Sequence, residues 1–511
     1  MKPLDNRRKG QGTAPLYRAT RKIRKGNHLS FHVPLHGRGP GAPHLLRAGL
    51  GPLMQWDFTE VPPLDDLHQP TGVIQHAQQL AAQLFGAEKT YFLINGATVG
   101  LLAILMAFTR PGVKVLLTRL SHKAAMHGIT LSGANPVYLP VEIEPMSGLP
   151  LNVTPKTVEK ALNEHPDAQM LLVTSPSYWG VAANLDAIGE ITKNRGVLLA
   201  VDEAHGAHLP FSQGKMPHAA GAGADLWIHS AHKSLGALTP GAYLHLAENT
   251  PSEDLSFWLQ VLQTSSPPYP VMVSLDLARR QAAIQGRKIF GKTKQWALRF
   301  RRALKQKGVP VFSPARQESH FFLDPSRITI LCPNVQGRSL GALFSRKSRI
   351  LVEMQEEAFI LMVVGPAALT LTPENLAQAI ARAVTEKGEL PNKNNHEGKG
   401  RAVYPFLHPN EPGGKSYTEA WKTFSSFALI PGDAVKARHE ACALENSAGK
   451  ISGEMIVQSP PGIPILAPGE IITGSAVDYL LSKRQKGQVF HGVGDPELNL
   501  IKVVTEVNNI C

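Results

Sequence analysis

The sequence predicts an α/β protein: a doubly wound, mostly parallel sheet, then a small α+β domain, then a C-terminal α+β domain. Three observations carry this. From about residue 70 to 250, short apolar or β-branched runs alternate with longer helical patterns, as strands joined by crossover helices do. A second alternating stretch occupies about 286–385, and a polar Gly/Asn-rich segment, 387–400, parts it from 401–511. At 511 residues the chain is too long for one core and sufficient for two to four domains.

Taken in order, Thr90–Ile94 reads as a strand, followed by the turn Asn95-Gly96 and an apolar helix from Val99. Val113–Thr118 is strand-like and precedes a helix starting near Ser121. Gln169–Thr174 and Val197–Val201 are continuous apolar runs suited to strands buried on both faces, with a helix over Leu185–Lys193 between them. Leu226–His229 and Ala242–Leu246 complete the first unit, predicted to span 71–285. In the second, predicted over 286–386, Ile328–Leu331 and Phe359–Val364 are strands, and Thr372-Pro373-Glu374 opens a helix with a hydroxyl cap and a first-turn proline. No internal repeat is present.

Composition narrows the class. No apolar run approaches 18 residues, so no membrane span is expected. Three well-separated cysteines, Cys332, Cys442 and Cys511, form neither a disulfide framework nor a cysteine zinc site; no metal is expected, and a reducing cytosol is. The net charge of +13 is concentrated in residues 1–50, where eleven Lys/Arg face only Asp5. Beyond Tyr17 no aromatic residue interleaves with these charges, so a nucleic-acid partner is not expected. Residues 1–70 read as a basic arm and entry segment, the arm itself solvated, partly mobile and dispensable for chemistry.

Four features fall at successive strand ends, where open α/β sheets bind ligands. Asn95-Gly96-Ala97-Thr98 joins a strand to a helix, so small residues leave backbone N–H groups open to an anion. Ser121-His122-Lys123 follows the next strand; a histidine there can cap the helix or face a ligand. Asp202 ends an apolar strand in Val201-Asp202-Glu203-Ala204-His205-Gly206, where a buried acid is costly without a cation. Lys233, in His229-Ser230-Ala231-His232-Lys233-Ser234, follows another apolar strand with no acid nearby in sequence, so its amine is open to a lowered pKa and nucleophilic use. Each has a bland explanation alone. Together they supply what pyridoxal phosphate needs: a phosphate turn, a ring-facing imidazole, an acid for the pyridine nitrogen and an amine for the aldehyde.

On these motifs the chain resembles the Orn/Lys/Arg decarboxylase family, pyridoxal-phosphate enzymes of fold type I. The resemblance extends to Phe31–His36, Asp57–Glu60, Leu64–Leu67, the run Gln263-Thr264-Ser265-Ser266-Pro267-Pro268-Tyr269, and Pro460–Pro464 with Pro468-Gly469-Glu470. It implies that Lys233 forms the imine with the cofactor, Asp202 holds the pyridine nitrogen, and His122 stacks on the ring. Ala97, Thr98, Ser230 and His232 would contact the phosphate, and Ala204 and His205 would lie beside the ring. Thr264, Ser265 and Ser266 would approach the phosphate near a subunit interface, which implies a homodimer or higher homo-oligomer. The implied activity is decarboxylation of arginine, lysine or ornithine to agmatine, cadaverine or putrescine. Five positions depart from the family's habit: Leu35 and Gly37 near the N-terminus, Ala97 where a serine is usual, Pro240 after Thr239, and Ser459 before Pro-Pro-Gly. Another reaction on the same cofactor, such as transamination, and a catalytically silent regulatory homologue are the alternatives.

Overall fold

The computed structural model describes residues 10–26, 28–145, 147–212, 214, 216–314, 320–332, 337–386 and 426–506. The expected 387–400 linker and Cys511 lie outside them. The strands of the first unit are β1 (Lys89–Leu93), β2 (Lys114–Thr118), β3 (Asn135–Leu139), β4 (Met170–Thr174), β5 (Val181–Ala183), β6 (Leu198–Asp202), β7 (Leu226–His229) and β8 (Ala242–Leu246). All but β5 form one seven-stranded sheet in the order β1-β8-β7-β6-β4-β2-β3. β3, β2, β4, β6 and β7 run parallel, and β8 is antiparallel to both its neighbours.

Side-chain alternation assigns the two faces. Met170 and Leu172 point into one cluster with Val115 and Leu117, while Leu171 and Val173 join the other with Leu116. Helices Gly96–Phe108, Lys123–Ser132 and Glu253–Leu262 cover the first face, Pro155–Glu164 and Leu185–Arg195 part of the second. Both faces are buried, which is why these strands read as unbroken apolar runs.

Three structural details differ from expectation. The first concerns the 31 residues from Asp202 to Lys233, which leave room for a βαβ-sized excursion; β6 and β7 are parallel neighbours, but among the described residues between them the short 3-10 turn Leu209–Phe211 is the only helical element. The second is the boundary placed at 285/286, which falls inside one continuous helix, Tyr269–Gln306. The third is the basic arm, whose stretch from Gly10 to Lys25 is docked on the rest of the chain, although its basic side chains stay largely exposed. Helix Pro15–Lys25 buries Leu16, Thr20 and Ile23, and Asp276 accepts from the backbone N–H groups of Leu16 and Tyr17. Arg279, wholly buried, donates to the carbonyls of Gln11 and Thr13.

The long helix leads into a second unit with β9 (Phe321–Leu323), β10 (Arg327–Leu331), β11 (Met354–Gln355) and β12 (Phe359–Val363), where β10, β12 and β11 form an antiparallel sheet against helix Pro373–Glu386. β9 reaches back to pair with β5. The C-terminal unit holds β13 (Arg438–Ala443), β14 (Ile456–Gln458), β15 (Ile463–Leu466), β16 (Phe490–His491) and β17 (Leu500–Glu506), in two small sheets packed on helix Gly474–Gln485.

Candidate active site

A cavity of about 240 Å³ opens at the carboxyl ends of β1, β2, β4, β6 and β7. Ala97, Thr98, His122, Asp202, Ala204, His205, Ser230, His232 and Lys233 all line it, joined by Asn95, Gly96, Thr174, Tyr178, Pro240, Pro461 and Ile463. The strand ends therefore bring together nine of the twelve site residues read from sequence. Thr264, Ser265 and Ser266 are not among them; all three are exposed, and Thr264 is tied to His68 through its carbonyl at 3.0 Å.

The turn after β1 presents a helix N-terminus to the cavity. Helix Gly96–Phe108 begins there, three residues earlier than the apolar pattern suggested, with φ of +78° at Gly96, a conformation that favours glycine. Asn95 makes no side-chain cap, so the first-turn N–H groups remain open toward the cavity. Ser230 Oγ is buried in the same cavity without a hydrogen-bond partner among the described residues. An orphaned hydroxyl beside a free helix N-terminus suits a phosphate.

His122 both caps and faces the cavity. Its Nδ1 accepts from the backbone N–H of Ala124 at 3.2 Å, at the start of helix Lys123–Ser132. Burial, and then the charge of Lys233, lowers its pKa to about 4, so the ring is neutral near pH 7. A C-terminal loop closes over it. Gly462 accepts from the N–H of Lys123 at 2.8 Å, and a Cβ on Gly462 would stand 2.8 Å from His122 Nε2. Arg119 fixes that loop by donating to the carbonyls of Pro464 and Ile465 at 2.6 and 2.8 Å.

Asp202 ends β6, 5% exposed, with its carboxylate receiving one N–H, from Ala204 at 3.2 Å. It has no ion pair among the described residues. Burial raises its pKa, while Lys233 and the Ala204 N–H oppose that rise. A buried acid lining a cavity without a cation is the arrangement a protonated pyridine nitrogen would satisfy. Lys233 faces it from the short helix after β7. Burial lowers its pKa, Asp202 opposes this, and Arg327 adds to the lowering. The site residues thus fit pyridoxal phosphate at its phosphate, nitrogen and aldehyde ends.

Behind the site, Glu203 starts a buried chain across four strands. Its carboxyl meets His229 Nε2 at 2.7 Å, His229 Nδ1 meets His245 Nε2 at 3.0 Å, and His245 Nδ1 meets Thr90 Oγ1 at 2.8 Å. Burial pushes Glu203 up to about 8 and His229 down to about 3.

Sequence reasoning missed Tyr178 and Arg327. Tyr178 follows β4, and its hydroxyl donates to Glu353 at 2.6 Å. An aromatic residue just past a strand end was a usable signal. Arg327 comes from β10 in the second unit and lines an adjoining cavity of about 220 Å³ that shares His232 and Lys233. Nothing local in its sequence marks it.

The Orn/Lys/Arg decarboxylase major-domain profile matches residues 14–322, and the C-terminal-domain profile of the same family matches 415–499. The chain belongs to the Orn/Lys/Arg decarboxylase family. Family members include an arginine decarboxylase of Halalkalibacterium halodurans, 33% identical over 97% of this chain and 98% of that protein. An arginine decarboxylase of Bacillus subtilis is 32% identical over 97% and 99%. In structure, the constitutive lysine decarboxylase of Escherichia coli matches the fold with a TM-score of 0.78 at 22% identity, covering 98% of this chain and 82% of that one. The α/β architecture expected from sequence is thus the family's fold.

Proposed function

We propose that this chain is a pyridoxal-phosphate-dependent decarboxylase of a basic amino acid, with arginine as its substrate. The observation that carries the reading is the meeting in one cavity of Lys233 and a buried aspartate, Asp202, that has no ion pair among the described residues, each at its own strand end. The choice of arginine rests on the relatives: those named arginine decarboxylase are 32–33% identical, those named lysine decarboxylase 23–24%.

Lys233 Nζ would hold the cofactor's aldehyde carbon, Asp202 would keep its ring nitrogen protonated, and neutral His122 would lie against its ring. The open N–H groups at Ala97 and Thr98, with Ser230 and His232, would hold its phosphate, and Ala204 and His205 would flank the ring. When bound, the cofactor supplies the sink for the electrons left as the bond from Cα to the carboxylate breaks and CO₂ departs. With the substrate in place, Lys233 Nζ, having taken up a proton from the substrate's ammonium, or a nearby His would return a proton to Cα. The C-terminal loop at Pro461 and Ile463 excludes water from the cavity. Alanine at 97 removes one phosphate hydroxyl that the family commonly offers; the N–H groups are unaffected.

The working unit is a homodimer or a higher homo-oligomer. Leu29, Phe31, Leu35 and Leu45 are each more than 80% exposed in the single chain. Such a row is apolar surface that a second copy would cover. Thr264–Ser266 would then approach the partner's phosphate site. The protein works in the cytoplasm, in polyamine formation. To test substrate choice, purified protein with cofactor is offered arginine, lysine and ornithine separately. Agmatine should dominate; equal turnover of all three would overturn the preference.

A further inference from the structure

His205 stands between two nitrogen bases, and its hydrogen bonds admit one arrangement of protons. Arg327 Nη2 lies 2.7 Å from His205 Nδ1, and Lys233 Nζ lies 3.4 Å from His205 Nε2. A guanidinium only donates. His205 Nδ1 must therefore accept, and a neutral ring must carry its proton on Nε2. That Nε2–H points at Lys233, so Nζ must present a lone pair, as a free amine. Lys233 as an ammonium would set two donors face to face.

We infer that Arg327 is a positioning residue that locks His205 as the Nε2–H tautomer and, through it, holds Lys233 as a free amine. Arg327 suits this task. It is 3% exposed, its Nε is buried without a partner, and no carboxylate pairs with it among the described residues. It enters the site on β10, whose strand neighbours fix its position independently of the main sheet. Tyr178 holds the ring plane, edge to face with His205 at 5.2 Å between centroids. The surrounding charges act consistently. Burial and then Lys233, Arg327, His122 and His232 keep His205 from taking a second proton. Lys233 faces two acids, Asp202 and Glu353, against Arg327, with burial the largest influence on its amine.

The inference rests on Lys233 being the cofactor's residue, but its test does not. The full chain, with nitrogen-15 histidine and without cofactor, is observed by NMR, His205 being assigned by the signals lost in His205→Gln. Separately, the pH midpoint of Lys233 reductive methylation is read by peptide mass spectrometry. The wild type should show Nε2 protonated and Nδ1 bare. Arg327→Met should give mixed tautomers and raise the Lys233 midpoint by about one pH unit, since a neighbouring cation has gone. Arg327→Lys, also an obligate donor, should restore both. A proton on Nδ1 in the wild type would overturn the inference even if Arg327→Met fails to fold. So would an unchanged tautomer in Arg327→Met, or Arg327→Lys behaving like it. A protein that passes this test yet releases no amine from arginine would contradict the proposed function and leave the tautomer lock standing.

Discussion

At the scale of single residues, Lys233, Asp202 and His122 were legible because each follows an apolar strand, and in a doubly wound sheet all such positions converge on one edge. Tyr178 and Arg327 were not, because their roles depend on contacts made across units. Arg327 is 122 positions from His205. Two changes test the legible residues. In Lys233→Ala, borohydride treatment should no longer fix the cofactor's mass to the protein, while in the wild type the added mass should map to Lys233. Turnover at the wild-type rate in this variant would remove Lys233 from the account. Asp202→Asn should fold, since its carboxylate receives only one backbone N–H, but it removes the charge facing the ring nitrogen. Loss of a buried pair of this kind costs roughly 3 kcal/mol, about a hundredfold in kcat. A variant within about threefold of wild type contradicts that role.

At the scale of elements, the buried strands and the edge strand β1 were readable, and the other edge strand, β3, was not. β3 contains Pro136, which speaks against a strand, yet β3 lies at the sheet's edge, where proline is tolerated. The unit boundary read at 285/286 falls inside helix Tyr269–Gln306, beside Gly286. In the structure Gly286 is packing: a Cβ there would stand 3.0 Å from the Phe211 ring. Neither fact is local. The chain Glu203–His229–His245–Thr90 ties β6, β7, β8 and β1, the strands that carry Asp202 and Lys233. His229→Leu should cost about 1–3 kcal/mol at pH 7, because Glu203 loses its partner. The cost should depend on pH. His229 titrates at about 3 in the folded protein and near 6.5 when unfolded, so its neutral burial is free above pH 6.5 and penalised as pH falls toward 3. The gap in Tm between wild type and variant should narrow over that window. A constant gap would mean that His229 is not buried as the neutral base.

At the scale of the molecule, three units meet at two adjoining cavities that share His232 and Lys233: the sheet supplies the candidate cofactor residues, the second unit Arg327, and the C-terminal loop Pro461 and Ile463. The sequence suggested a basic arm of no structural account, because charge content hides the three buried positions of its helix. Deleting residues 1–14 should lower Tm by stranding Arg279 without its carbonyl acceptors, and leave kcat of the folded protein nearly unchanged. An unaltered Tm would return the arm to a solvated tail. Assembly has its own test. Lys233→Ala mixed with a triple alanine variant at Thr264–Ser266 should regain activity, since one site of each mixed dimer carries neither lesion. No recovery between proteins shown to exchange subunits would argue for sites confined to one chain.

The most direct measurement of the central claim follows both products of one bond. Arginine labelled in its carboxylate is given to the purified protein with cofactor, and released CO₂ and agmatine are counted together. The account predicts one CO₂ for each agmatine, with neither formed by Lys233→Ala. A keto acid that retains the label, or no product from a protein carrying its cofactor on Lys233, would contradict it.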